Sequence, residues 1–279
     1  MSVESFTKIV NRFKGVISIY ITGGEPFLNE DIFDMIEYGH SKKIHVSTTT
    51  NGTILDDKID RIIESSLSKL NISLDADNSS DYQRMHGENM SVFYAVLENI
   101  TKLVEKKKMN NHHLKLSVSY ICDKRNYMKI PDMIYFAEEL GVDELIFHNL
   151  IPFNLLEFPK NEALFDNDED VMKVLEDINK HPNSKLQVTM PRLYTRRIIE
   201  RFCRMPFTTL PINGEGDVSM CCNIPVSSKY GNLFDENYDW NKFHFKEMRN
   251  ILMDRKEPLP ETCILCPNMY RPYNDVRKE

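Results

Sequence analysis

Cys203, Cys221, Cys263 and Cys266 lie in the last third of the chain with a spacing that can close on one inorganic centre. Cys203 is followed by twelve residues, Gly216, four residues and Cys221, and later comes the tight pair Cys263-Ile-Leu-Cys266-Pro. Four thiolates in such a set hold tetrahedral zinc or an iron–sulfur cluster, and cysteine count alone does not separate the two. The remaining two cysteines read differently. Cys222 adjoins Cys221, and successive residues of a strand face opposite ways, so both are not expected to ligate one centre. Cys122 ends an apolar run and reads as core, where free cysteine is often buried.

A second set of polar motifs sits upstream: Gly23-Gly24-Glu25-Pro26, then Thr49-Thr50-Asn51-Gly52, then Ser73-Leu74-Asp75, then Cys122-Asp123-Lys124-Arg125-Asn126. The glycine pair reads either as a tight turn stiffened by Pro26 or as a place where a ligand approaches the backbone. In the second case Glu25 can accept hydrogen bonds from an ammonium group. His148 is expected to pack, His86 carries no ligand assignment, and Lys106 to Lys108 read as a solvated helix end.

These motifs need a scaffold that aligns them, and the hydrophobic pattern supplies one. Val3, Phe6, Ile9, Val10 and Phe13 share one face of a helix over residues 2–14, with Ser2 as its cap. Residues 15–22 then form a nearly continuous apolar run, expected as a strand buried on both faces. The exchange repeats, with strands at 44–50, 69–76, 114–122 and 144–152 and helices at 31–43, 56–66, 91–107 and 127–141. Strands alternating with helices at this spacing predict a parallel sheet, either doubly wound or part of a β/α barrel. Both architectures place active sites at the carboxyl ends of strands, where the polar motifs fall. The alternation stops near Pro152. A connector follows, its acidic run suited to the N-terminus of a helix near 170–180.

Bulk composition narrows the function classes. With 41% hydrophobic and 28% charged residues the chain is an ordinary globular protein. A net charge of −7 argues against nucleic acid as a partner. No apolar stretch is long enough to span a membrane, and the first fifteen residues lack the apolar core of a secretory signal. A cytoplasmic location is expected, where six cysteines point to metal or catalysis rather than disulfides.

The ordered series of strand-end motifs resembles the barrel of radical S-adenosylmethionine (SAM) enzymes. The resemblance implies that Gly23, Gly24 and Glu25, with Pro26, receive the methionine amino group of SAM. It also implies that Ser73 lies near the SAM methionine or ribose, and that Thr50 and Asn51 face the cavity shared by cofactor and substrate. Asn126 and Ile151-Pro152 match later positions more loosely. The cysteine spacing, with Tyr230-Gly231-Asn232 and Trp240-Asn241 between, resembles the SPASM/twitch extension of the same family. That implies one auxiliary 4Fe–4S cluster on Cys203, Cys221, Cys263 and Cys266. The fold implied is α/β, a partial β/α barrel over residues 1–155, a connector with a helix over 156–200, and a small cysteine-rich α+β domain over 201–279.

One element of that family is missing from these 279 residues. The C-x3-C-x2-C triplet that holds the radical-generating cluster occurs nowhere in them, nor does the strand before it. Residues 15–22 therefore become an unblunted sheet edge, which invites pairing with another chain. The expectation is that Met1 is an internal methionine of a longer polypeptide, an oxidoreductase or a peptide or natural-product maturase that abstracts hydrogen through a 5′-deoxyadenosyl radical. SAM is then a cofactor only if the N-terminal cluster segment is supplied, and the substrate is a small molecule or a peptide. Two alternatives stay open: a non-catalytic iron–sulfur module whose partner chain covers the edge, and a zinc-stabilised α/β protein.

Overall fold

The computed structural model describes residues 1–151, 162–178, 185–194, 203–241, 244–254, 256–260, 263 and 266. Pro152, one of the loosely matched positions, lies outside them. Helix α1, Val3–Arg12, starts where Ser2 Oγ accepts the Ser5 N–H at 3.2 Å, so the expected Ser2 cap is in place. Strands β1 (Ser18–Ile21), β2 (His45–Thr50), β3 (Lys69–Ser73), β4 (Lys115–Cys122), β5 (Glu144–Asn149) and β6 (Gln187–Thr189) form one sheet in chain order. The pairs β1–β2, β2–β3, β3–β4 and β5–β6 are parallel. Between the strands run α2 (Ile32–Ser41), α3 (Ile59–Glu64), α4 (Ser79–His86), α5 (Met90–Met109) and α6 (Ile130–Leu140), and α7 (Glu169–Ile178) precedes β6.

The chain divides into two units. Residues 10–148 with 173–191 make the sheet unit, and residues 1–9, 149–172 and 192–279 make the other. In the sheet unit burial alternates along β2 and is nearly continuous along β3 and β4. Val46, Leu70, Ile72, Leu116, Val118 and Leu145 are almost wholly buried, matched by buried Ile36, Ile62, Val96 and Ile100 on the helices. Each such side chain contributes roughly 1.5–3 kcal/mol relative to exposure.

The opposite face of the sheet is polar. Asn71 donates to Thr49 Oγ1 (3.2 Å) and Ser119 Oγ (2.9 Å) and accepts from Ser117 (2.9 Å), while Tyr20 and Thr49 share a hydroxyl contact. Nearer the amino ends, Lys69 and Lys115 converge on Glu144 Oε2 at 2.5 and 3.1 Å, and Lys115 also reaches Gln187. Burial pushes the Glu144 carboxyl up, but the two ammonium groups outweigh it and hold it below its ordinary range.

The first strand departs from its sequence reading. The edge position expected of residues 15–22 is there, but burial on both faces is not: Tyr20 is 57% exposed and neighbouring Ile17 77% exposed.

In the other unit the described elements are short. They include α8 (Met205–Thr208), α9 (His244–Met253), two antiparallel bridges, Ile212 with Val218 and Asp217 with Asn232, and a parallel bridge of Phe165 with Tyr194.

Candidate functional site

A hairpin at Asn213–Asp217 sends the chain back toward Cys221. Asn213 Oδ1 accepts from the backbone N–H of Glu215 and Asp217 at 3.0 and 2.9 Å, and Gly216 closes the turn with φ +84°. A Cβ at Gly216 would sit 2.6 Å from Phe234 Cδ2 in a left-handed conformation that side chains avoid. Gly216→Ala is therefore expected to lower stability by about 1–2 kcal/mol, read as a shift in the urea midpoint. The next turn, Cys221 to Ile224, is fastened by buried Ser219, whose hydroxyl donates to Cys221 O (3.0 Å) and Ile224 O (2.5 Å). Cys203 precedes α8, and Cys266 N–H donates to Cys263 O at 3.3 Å.

The outcome is convergence. Cys203, Cys221, Cys222, Cys263 and Cys266 line a single pocket walled by Pro206, Met248 and Leu252. None of the six cysteines is in a disulfide. Burial pushes the Cys221 thiol up to about 11, with Cys222, Cys266 and Cys203 adding to the shift in that order. Among the described residues, no three His, Cys, Asp or Glu side chains are grouped closely enough to hold a metal ion. A larger open hollow of about 520 Å³ lies beside α9, between Lys246, Glu247 and Asp254, away from the thiols.

Cys222 corrects the strand argument. Residues 221–224 form a turn, not a strand, so alternation does not apply and both neighbouring thiols line the pocket. Cys122 behaves as expected: it is fully buried, and burial pushes its thiol well up.

At the carboxyl ends of the strands, Glu25 ties two loops together. Its carboxylate accepts from Phe27 N (3.1 Å), Thr50 Oγ1 (2.9 Å) and Asn51 N (2.9 Å), and Thr50 Oγ1 in turn accepts from Gly52 N (3.0 Å). Pro26 is buried behind this clamp, Ser73 is half-buried at the end of β3, and Asn51 is exposed. Gly23 and Gly24 are exposed, neither has a left-handed φ, and a Cβ at either would meet nothing within 4 Å. Folding alone does not require glycine at these two positions. Asn126 closes the loop after β4, accepting from Asp123 N and donating to Ile121 O.

Asp75, His86 and His148 form a group that motif reading did not single out as a site. Asp75 is buried in a left-handed conformation, φ +39°. Its Oδ1 accepts the Ile121 N–H at 2.8 Å, and Oδ2 lies 3.5 Å from His86 Nε2, whose ring stacks on Tyr82. His148 is exposed, against the packed position expected of it, because it follows Glu144 and Ile146 on the polar face. In the sequence Asp75 showed only as the last residue of a strand-end motif, with nothing to join it to His86 or His148.

Burial raises the Asp75 carboxyl above its ordinary value, and the Ile121 N–H, His86 and His148 offset this only in part. The folded state then holds the proton more tightly than the unfolded chain. Stability conferred by the neutral carboxyl is lost as pH rises from the ordinary value of 3.8 through the raised one. Asp75→Asn is expected to melt above the parent at pH 7, with the gap closing as the buffer is taken down toward pH 3.8, checked by thermal scans across that range.

With this geometry in hand, comparison with known proteins is direct. A model of the radical SAM superfamily matches residues 1–117, and a model of the SPASM iron–sulfur cluster-binding domain matches residues 203–267. Residues 1–117 are thus of the radical SAM type and residues 203–267 of the SPASM type. It is similar to the tungsten-containing aldehyde ferredoxin oxidoreductase cofactor-modifying protein of Pyrococcus furiosus, 25% identical over 79% of this chain and 62% of that one. It also resembles the antilisterial bacteriocin subtilosin biosynthesis protein AlbA of Bacillus subtilis, 24% identical over 86% of this chain and 52% of that one. In fold it matches Streptococcus suis SuiB bound to precursor peptide SuiA, with a TM-score of 0.65 at 17% identity, covering 85% of this chain and 56% of that one. The chain thus spans little more than half the length of these relatives.

The two family matches imply iron–sulfur clusters and SAM as the cofactors. The residues present fit a cluster: soft thiol donors gathered in a largely apolar pocket, with Cys221 poorly ionised until a cation arrives. Among the described residues no helix is long and apolar enough to cross a membrane.

Proposed function

We propose that this chain forms the cofactor barrel and auxiliary-cluster domain of a maturase or related oxidoreductase whose reaction begins with hydrogen-atom abstraction from a peptide. The observation that carries this reading is the convergence of Cys203, Cys221, Cys263 and Cys266, far apart in sequence, on one pocket. These four hold one 4Fe–4S cluster, in a domain over 201–279 that the 156–200 connector joins to the barrel over 1–155. When bound, SAM supplies the hydrogen-abstracting chemistry and the auxiliary cluster an electron acceptor or a substrate anchor.

The chain's own residues position the cofactor. The exposed backbone of Gly23 and Gly24 offers an unobstructed approach at the end of β1. Glu25 locks that loop to Thr50 and Asn51, Pro26 is buried beside it, and Ser73 ends β3, the strand beyond β2. The polar sheet face, bearing Thr49, Asn71, Ser117 and Ser119, suits a substrate rich in hydrogen-bonding groups. A peptide fits it, and two relatives point the same way: one acts in subtilosin biosynthesis and one was crystallised with a precursor peptide.

Within these 279 residues no C-x3-C-x2-C occurs, so by itself the chain does not cleave SAM reductively. That step belongs to a polypeptide including such a segment, and the open edge at β1 is where a further strand or a partner chain pairs. Anaerobic reconstitution with iron, sulfide and zinc analysis tests the reading. About four irons and four sulfides per chain are expected; stoichiometric zinc without sulfide would overturn it.

A further inference from the structure

Asn223 sits between two thiols of the pocket with its two ends turned to different sulfurs. Its Nδ2 donates to Cys266 Sγ at 3.1 Å, and its Oδ1 accepts from Cys222 Sγ at 3.6 Å. The side chain lines the thiol pocket and comes from the Cys221–Ile224 turn that Ser219 fastens, so its place is fixed by the same contacts that place Cys221. Building on the four-thiol cluster reading, we propose that Asn223 is a positioning residue that raises the reduction potential of the cluster through Cys266 and keeps Cys222 out of the ligand set.

The physical basis is charge. Reduction adds an electron to the cluster and spreads negative charge over its sulfurs, and an N–H donated to a ligand sulfur stabilises that added charge. Asn223 supplies this donor from a side chain, in a pocket whose walls are largely apolar and do little to screen it. The carbonyl end does the complementary task. A sulfur held as donor to Oδ1 is turned toward the amide and away from metal, so of the two adjacent thiols Cys221 ligates and Cys222 does not.

The test uses the full chain, reconstituted anaerobically, with iron and sulfide counted and the potential taken from an EPR-monitored redox titration. Asn223→Leu is expected to load the same cluster but to make one-electron reduction about tenfold less favourable, a shift of about 59 mV to lower potential. Asn223→Gln, which restores a donor, is expected to recover most of the shift. Cys222→Ser is expected to keep full iron and sulfide. An unchanged potential in a loaded Asn223→Leu overturns the inference. If that variant does not load, Asn223→Ala, which cannot donate and adds no charge, takes its place with the same two outcomes. Loss of iron in Cys222→Ser overturns the ligand assignment. Failure of the parent chain to take any cluster is a different result: it overturns the four-thiol reading itself, and this inference with it.

Discussion

Replacing Cys221 or Cys266 with alanine is expected to remove the 4Fe–4S centre, whereas Cys122→Ala and Cys222→Ala keep it. The contrast tests position rather than residue type, since all four variants lose one thiol. Cys221 and Cys266 line the same pocket as Cys203 and Cys263, and a cluster held by four thiolates has no spare ligand when one is removed. Cys122 is fully buried in β4 of the sheet unit, and its loss is a packing change. Cys222 lines the pocket, but its sulfur is turned to Asn223. Iron and sulfide analysis after anaerobic reconstitution, with the visible absorption of the cluster, separates the two classes. Cluster retained in Cys221→Ala but lost in Cys222→Ala would reverse the assignment of the adjacent pair.

The second large effect is expected at Glu25. Glu25→Leu strips the acceptor from a nearly wholly buried Thr50 hydroxyl and from the Asn51 N–H, and it frees the Phe27 N–H as well. Hydrogen bonds to a charged acceptor are worth about 1.5–3 kcal/mol each. The residue is only half-buried and water replaces part of the loss, so a net cost of about 2–3 kcal/mol follows. Glu25→Gln keeps one carbonyl oxygen and sets an amide NH2 against one donor, and about half that cost is expected. Gly24→Ala meets no neighbour and leaves φ untroubled, so its effect stays within about 0.5 kcal/mol. Urea unfolding of the three variants gives the order. A Gly24→Ala cost as large as that of Glu25→Leu would mean that the glycine pair serves the turn, not an incoming ligand.

Sequence alone determined the order of strands and helices through most of the sheet unit, because hydrophobic periodicity reports locally which side of an element is buried. It also marked Cys203, Cys221, Cys263 and Cys266 as one candidate set, through a spacing that resembles the SPASM/twitch extension. Why Gly216 is there became plain only with the backbone: its left-handed φ and the closeness of Phe234 exclude a side chain.

Tertiary structure decided the rest. Helix α4 was missed because SSDYQRMH shows little apolar periodicity, and β6 because three residues are too few to show any period. That β1 lies at an edge was expected from the missing preceding strand, but that its side chains are exposed rather than buried on both faces is a packing outcome that an apolar run does not encode. The clamp from Glu25 to Thr50 and Asn51 joins residues 25 apart or more, and the Asn223 contact joins residues 43 apart. Side-chain partners at such separations are chosen by packing, and composition carries no trace of them until the chain has folded.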